Sequence, residues 1–372
     1  MLVRAVELSD FRNLASVLVE PHPRCNVFSG DNGQGKTNLL EAIFLVGSLT
    51  SFRASRVEEL VRFGAAAAWA RARIERRGLE RLYEVGVAGM PLRKAARVDG
   101  KAVRATADYF GGFNVVLFAA DDLQLPRGAP SARRRFLDRA VWNAEPPLLK
   151  EAQTYARVLK SRNAVLRDAT TAPSVRTDEL LDVYDQQLAV AGAAIVVRRR
   201  RYVAALAPRV AEAWRRITAS PVAARIGYES ALVGADADLT AELGAALASA
   251  RPRDLARGFT SCGPHTDDLD LRLDERPARL YGSQGQLRAL VLALKISEIE
   301  HLEAVLGEPP ILLLDDVSSE LDPKKSEQLF AFLDQIASQL FITTTHPKHV
   351  LLGGPRRDFT VAAGAVLAVD NR

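Results

Sequence analysis

The spacing of apolar and polar positions changes period twice along the chain. From Leu2 to Leu8 and from Ser16 to Glu20 it predicts paired strands flanking Asp10-Phe11-Arg12-Asn13. Arg24 to Ser29, with the apolar pair Val27-Phe28 at its centre, predicts a buried strand. Asn38 to Val46 then shows helical period, with Leu39, Leu40, Ile43 and Phe44 on one face and Gly47 as the stop. From Ala68 to Val103 apolar residues alternate with Arg or Glu between turn signals at Arg77-Gly78, Gly89 and Asp99-Gly100. This predicts an antiparallel meander solvated on one face, and the continuous apolar run Phe113 to Phe118 predicts another buried strand.

After about Pro126 the pattern turns helical. Ser131 can cap a first helix, Pro147 can open a second that runs to about Arg167, and Asp178 to Arg201 reads as a third. Beyond Pro221 strands and turns return, with Asp268 to Leu273 alternating cleanly, and a strongly apolar helix follows that buries Leu287, Leu290, Val291, Leu294 and Ile296. Ile311 to Leu314 is a buried strand, a helix extends to about Ser338, and Leu340 to Thr345 is a strand ending at His346. The pattern predicts an α/β protein split into 1–126 and 255–372, a mixed sheet with flanking helices and an antiparallel β subdomain. A mainly helical lobe over 127–254 interrupts it.

The chemistry concentrates at the ends of the predicted strands. Gly30-Asp31-Asn32-Gly33-Gln34-Gly35-Lys36-Thr37 fits G-x-x-x-x-G-K-[ST] at every fixed position, between a strand and a helix. Such a loop turns its backbone N–H groups around phosphate oxygens, while Lys36 adds charge for the β and γ phosphates and the Thr37 hydroxyl can ligate Mg²⁺. Asn38 extends the nucleotide-binding set by one residue. The strand ending in Asp315-Asp316 supplies the acidic counterpart: Asp315 to hold Mg²⁺, Asp316 to orient or deprotonate an attacking water. Ser283-Gln284-Gly285-Gln286 opens the apolar helix and offers a second anion-binding terminus or an ordinary helix start. His346 sits at a strand's C-terminal end, where ligands gather or where a histidine is merely exposed.

With 372 residues, 48% hydrophobic and 26% charged, the chain has the composition of a folded globular protein of about two lobes. It opens without an apolar leader and contains no run of about 18 apolar residues, so a cytoplasmic location without a membrane partner is expected. Cys25 and Cys262 are far apart and read as buried side chains, not as a disulfide or zinc pair. The net charge of +5 is exceeded locally: residues 127–201 hold fifteen Lys and Arg against eight Asp and Glu. Arg133, Arg134 and Arg135, with Arg198, Arg199, Arg200 and Arg201, are either solvated helix surface or a footprint for DNA phosphates.

About 280 positions separate Lys36 from Asp315, and the segment around Ser283 lies just ahead of the acidic strand, the layout of an ABC-type ATPase with a domain inserted between its halves. The chain resembles the RecF family of bacterial recombination mediators, related to the heads of Rad50 and SMC proteins. The resemblance rests on seven stretches: Leu8 to Leu14, Gly30 to Thr37, Thr50-Ser51-Phe52-Arg53, Asp122-Leu123 through Arg133 to Asp138, Gly263 to Leu269, Ser283 to Gln286, and Leu312 to Asp322. It implies ATP and Mg²⁺ as cofactors, a weak DNA-stimulated ATPase acting as a switch, and an ATP-dependent homodimer. In that dimer Ser283, Gly285 and Gln286 face the γ phosphate held by Lys36 of the other subunit, with Asp322 near the same interface. Arg12 is similar to an N-terminal arginine that reaches the nucleotide. The resemblance further implies single-stranded, gapped or junction DNA as partner, work with RecO- and RecR-type mediators to load recombinase, and a part in replication and the SOS response. Ala120-Asp121-Asp122-Leu123 departs from the family's Pro-Glu-Asp-Leu. An ATPase subunit of a transport complex and a small-molecule kinase or GTPase are the alternatives for the same cradle.

Overall fold

The computed structural model describes residues 1–104, 109–171, 176–218, 220–316 and 323–369. The chain forms two compact units, one of residues 1–124 with 288–372 and one of residues 125–287. Segment 255–287 groups with the inserted unit because its strand pairs there and Asp268 receives Arg133 from the unit's first helix.

The first unit opens with strands β1 (Leu2–Phe11), β2 (Leu14–Val19) and β3 (Cys25–Ser29) and helix α1 (Lys36–Ser48). Strands β4 (Ala68–Arg76), β5 (Leu79–Ala88), β6 (Arg93–Val98), β7 (Lys101–Ala102) and β8 (Val115–Ala119) follow. The second unit holds α2 (Pro130–Ala144), α3 (Leu148–Thr171), α4 (Arg176–Thr218), β9 (Ala224–Glu229), α5 (Leu239–Arg257), β10 (Asp268–Leu273), β11 (Arg276–Pro277) and the short α6 (Ala278–Tyr281). After α7 (Gln284–Leu306) come β12 (Ile311–Asp315), a helix over Pro323–Gln335, β13 (Leu340–Thr344), β14 (Arg357–Ala362) and β15 (Ala365–Val369).

Two sheets make up the first unit. One is antiparallel in the order β2-β1-β4-β5-β6-β7, and it contains the meander expected from the alternation over 68–103. The other runs β15-β14-β3-β13-β12-β8, parallel from β14 to β8 with β15 antiparallel at its edge. Helix α1 packs between the two sheets, and one apolar cluster runs from Val6 and Ala70 through Leu39 and Phe44 to Leu313 and Phe341. The helix is therefore buried on nearly every side. Ala42, Leu45 and Val46 are as inaccessible as the one-face set Leu39, Leu40, Ile43 and Phe44, and its amphipathic pattern is correspondingly weak. Gly47 does not stop it. The helix ends at Ser48 with Leu49 in a left-handed conformation, and Gly47 is required by close approach: a Cβ there would lie 2.2 Å from Cγ2 of Val115 on β8.

In the second unit α4 continues well past Arg201 to Thr218, with Pro208 inside it, and α5 is a helix within a stretch expected to be strands and turns. Leu243 and Leu247 of α5 are buried, and Leu243 packs so close to Gly192 of α4 that a Cβ there would lie 2.5 Å from its Cδ2; the helical spacing is obscured by the run of alanines around it. A stretch of α4 is long and apolar enough to cross a bilayer, but half of it is buried inside the protein. Arg162 of α3, wholly buried, donates to Asp185 of α4 at 2.6 Å and to Asp254 of α5 at 2.8 Å, with Thr260 as a third acceptor at 2.9 Å. Removing one member of such a set leaves a charge without compensation, and the destabilisation is about 3–5 kcal/mol. Arg162→Met should therefore lower unfolding stability by that amount in urea titration. A loss under about 1 kcal/mol would mean that the three helices do not depend on this cation.

Candidate functional site

The loop between β3 and α1 leaves the sheet at Ser29 and reaches the first turn of α1 at Lys36, so amide groups unsatisfied within the helix face the space that the loop encloses. Lys36 Nζ donates to the carbonyl oxygens of Gly30 at 2.6 Å and Asp31 at 2.8 Å. Burial draws its pKa down, against the opposing pull of Asp316, Asp315 and Asp31. Thr37 Oγ1 donates to Asp315 Oδ1 at 2.9 Å, and Thr343 Oγ1 donates to the same oxygen at 2.8 Å. Burial raises the Asp315 carboxyl above its ordinary range, partly offset by those two hydrogen bonds and by Arg53. Asp316 takes a left-handed φ of 51° while its N–H donates to Thr343 Oγ1 at 3.0 Å.

These residues border a cleft of about 310 Å³. Of the residues singled out in the sequence, Asn32, Gly33, Gly35, Lys36, Thr37, Asn38 and Asp316 line it. Gly30 and Asp31 contribute through the carbonyls that hold Lys36. Gln34 turns away: its Oε1 accepts from Ala363 N at 2.6 Å and its carbonyl accepts from Gly364 N at 3.0 Å, so the β14–β15 turn pins the loop from behind. Arg12 is not among the lining residues. It makes a two-pronged pair with Glu41 of α1, at 2.9 and 2.8 Å, and Glu41 is wholly buried.

Two further residues, Asn13 and Arg53, line the cleft. Asn13 donates to Gln34 O at 3.1 Å and accepts from Asn38 Nδ2 at 2.8 Å, and Arg53 donates to Asn38 Oδ1 at 2.9 Å. Both come from loops brought to the cradle by tertiary packing, so spacing alone carries no signal for them. His346 is exposed, its Nδ1 accepting from Lys348 N at 3.4 Å, and it does not line the cleft. Asp122 is used inside its own unit, accepting from Ala119 N at 3.0 Å and standing 3.3 Å from the buried Lys295. Asp322 lies outside the described residues.

A ring of backbone amides, an ammonium, a hydroxyl and two carboxylates can bind a polyphosphate together with a hard divalent cation. The donors offered by Thr37 and Asp315 are all oxygen and only two in number, which suits Mg²⁺, an ion that keeps waters and phosphate oxygens in its shell. Among the described residues no group of three or more His, Cys, Asp or Glu could hold a metal unaided.

In the second unit Ser283 and Gln286 form a reciprocal cap at the start of α7. Ser283 N donates to Gln286 Oε1 at 2.9 Å, and Gln286 N donates to Ser283 Oγ at 3.2 Å. Ser283 is exposed and Gly285 half-buried, so this helix start is open to a ligand or partner. The arginine runs divide differently. Arg133 is buried in a two-pronged pair with Asp268 at 2.8 and 2.6 Å, and Arg199 is buried against Asp138 at 2.7 Å and Pro264 O at 2.7 Å. As DNA contacts these two are corrected, because a guanidinium enclosed and fully paired cannot reach a phosphate. Arg134 binds Asp267 O at 2.7 Å, Arg198 is engaged with Glu145, and Arg200 caps the carbonyls of Leu232 and Gly234. Only Arg135 and Arg201 of the seven are exposed, Arg201 beside Asp236 at 3.0 Å.

Comparison with known proteins places this geometry. The RecF/RecN/SMC N-terminal domain family matches residues 2–353. The chain is 49% identical over 354 residues to the DNA replication and repair protein RecF of Anaeromyxobacter dehalogenans strain 2CP-C, covering 93% of this chain and 92% of that one. It is 46% identical over 351 residues to RecF of Myxococcus xanthus strain DK1622, covering 93% and 91%. A solved structure of the recombination mediator protein RecF with ATP, of the RecFOR pathway, superposes with a TM-score of 0.89 at 30% identity over 99% of this chain and 97% of that one. An SMC head bound to the C-terminal winged-helix domain of ScpA superposes at 0.55 with 16% identity over 99% and 98%, a likeness of fold alone. The fold is that of an ABC-type ATPase head.

Gly35 has a φ of 118°, and a Cβ there would stand 2.8 Å from Asn13 Oδ1 and 2.9 Å from Leu14 Cδ2. Gly35→Ala therefore combines backbone strain of about 1–3 kcal/mol with displacement of Asn13, and nucleotide affinity should fall by about tenfold or more in displacement of a fluorescent analogue. Unchanged affinity would mean that the loop conformation described is not the binding one. Separately, Arg133→Ala should lower stability by about 2–3 kcal/mol, whereas exposed Arg135→Ala should change it by less than about 0.5 kcal/mol, both read by urea unfolding.

Proposed function

The chain belongs to the RecF family, and we propose that it acts as a recombination mediator in DNA replication and repair, a DNA clamp closed by ATP binding and opened by slow hydrolysis. The observation that carries the reading is the meeting of Thr37 with Asp315 at 2.9 Å beside Lys36, the hydroxyl, carboxylate and ammonium that a Mg²⁺-bound triphosphate requires. Lys36 would exchange its two carbonyl acceptors for β and γ phosphate oxygens, and Thr37 and Asp315 would hold Mg²⁺. When bound there, Mg²⁺ would supply neutralisation of charge on the phosphate oxygens. Asp316 would orient the attacking water. Most ABC ATPases have a Glu at that place. The shorter side chain holds its carboxylate about 1 Å further back, which favours slow turnover and a long-lived bound state.

The open cap at Ser283 supports a second element, a homodimer in which Ser283, Gly285 and Gln286 of one subunit complete the nucleotide site of the other. DNA, single-stranded, gapped or at a junction, would favour the same dimer by linkage, and ATP would tighten DNA binding by the same factor. RecO- and RecR-type mediators, recombinase loading, the SOS response and a cytoplasmic location complete the proposal, resting on the family alone.

Sedimentation with and without ATP tests it. Wild-type protein should pass from monomer to dimer on adding ATP and Mg²⁺, and Lys36→Met should lose both nucleotide binding and dimerisation. Ser283→Arg should bind ATP within about threefold of wild type yet remain a monomer, because its residue acts only across the interface. A Ser283→Arg protein that still dimerises with ATP, or a wild type that dimerises equally without nucleotide, would overturn the clamp.

A further inference from the structure

The inserted unit contains a second cleft, of about 450 Å³, which the nucleotide chemistry does not use. It opens between α2 and α3. Trp142 of α2 and Leu148, Leu149, Ala156 and Leu159 of α3 form its sides, and Ile195 of α4 contributes to its floor. Of its polar groups Arg199, Tyr155 and His265 are already partnered, whereas Trp142 Nε1 is buried without a hydrogen-bond partner among the described residues. Arg199 is paired with Asp138 at 2.7 Å, and the Tyr155 hydroxyl lies 2.7 Å from His265 Nδ1, whose Nε2 faces Thr260 O at 3.0 Å. The interior therefore presents apolar surface with no unmet charge.

The rim is different. Arg134 uses one terminal nitrogen on Asp267 O and borders the opening, and exposed Arg135 beside it has no described partner. Arg157 and Lys160 lie exposed on the outer side of α3. The nearest acidic groups are taken: Asp138 by Arg199, and Glu145 and Glu151 by Arg198. An apolar trough with a cationic lip is complementary to a chain segment that carries carboxylates next to large apolar side chains.

We propose that this cleft docks an acidic peptide segment of a protein partner, with its apolar side chains filling the trough between α2 and α3 and its carboxylates on Arg134 and Arg135. The volume accommodates about two or three leucine-sized side chains, within the range of small binding pockets. A nucleic-acid strand is the weaker occupant. Sequence-blind strand binding relies on accessible aromatic platforms for the bases, and of the three rings lining this cleft Tyr155 is buried and tied to His265 at 2.7 Å, which leaves Trp142 as the platform. The proposal is independent of the nucleotide reading, since none of the residues lining this cleft borders the ATP cleft.

The experiment selects peptides about 12 residues long from a random library on the full-length wild-type protein, with counter-selection on Ala156→Trp, whose indole would occupy the trough. Ala156 is exposed, so the variant should keep the thermal midpoint and ATP affinity of wild type. Enriched peptides should carry net negative charge and Leu, Ile, Met or Phe anchors. The best of them, made synthetically, should bind wild type with micromolar affinity in fluorescence anisotropy. Binding should weaken by about tenfold in Ala156→Trp and in Arg135→Asp, and by several-fold between low and moderate salt. The idea is overturned if no peptides are enriched over the counter-selecting variant, or if those recovered are neutral or basic. It is equally overturned if Ala156→Trp binds the synthetic peptide as well as wild type does. If labelled oligo(dT) loses affinity in Ala156→Trp while acidic peptides never bound, the occupant is a nucleic acid and the peptide assignment is wrong.

Discussion

One hydroxyl and one carboxylate, 278 positions apart, meet at 2.9 Å, and the architecture of the head follows from the need to bring them together. Thr37 is fixed because α1 starts where β3 ends. Asp315 is fixed because β12 pairs with β13 and β13 with β3, in registers that put Asp315 opposite Thr343 and Thr344 opposite Ser29. All of these residues then lie at one C-terminal edge of a parallel sheet, the edge where such sheets gather ligands. The insertion is tolerated for a related reason. The chain leaves the head after β8 and re-enters it along α7, which leads to β12, and β8 and β12 are direct neighbours, Ile311 opposite Val115 and Asp315 opposite Ala119. A large detour between adjacent strands alters neither the pairing nor the position of the edge.

The inserted unit is organised by charges buried in pairs. Arg162 spans three helices, and Arg133 and Arg199 reach from helices to the segment that carries Asp268 and Pro264. Removing such ions from water is expensive, and the gain from pairing them only roughly offsets that expense, so their clearest contribution is to the uniqueness of the arrangement. Helices rich in alanine and leucine could slide past one another with little change in apolar contact. A guanidinium that must meet particular carboxylates fixes their register.

The sequence makes the phosphate cradle, the acidic strand, the meander and the helical insertion legible, because each is a local pattern with a physical reason for its spacing. What it obscures has identifiable causes. Gly47 looks like a helix stop because the closeness of Val115 is a tertiary fact. Asn13 and Arg53 reach the cleft from separate loops, and no period links them to Lys36. The arginines were legible in part. Arg133 precedes Phe136, Leu137 and Ala140 at helical spacing, and Arg199 lies in line with Ile195, Val196, Tyr202 and Val203, so both occupy the buried stripe of their helices. A run of like charges does not by itself mark the face on which each member stands.

Cys25 lies on β3, two residues before Val27 at the centre of the head's sheet, and burial pushes its thiol up to about 12. Cys262, in the inserted unit, is raised to about 11 by the same cause. Burial thus disfavours the Cys25 thiolate, the species that peroxides and electrophiles attack. Both thiols are therefore held in the protonated form, the one less open to oxidation and alkylation.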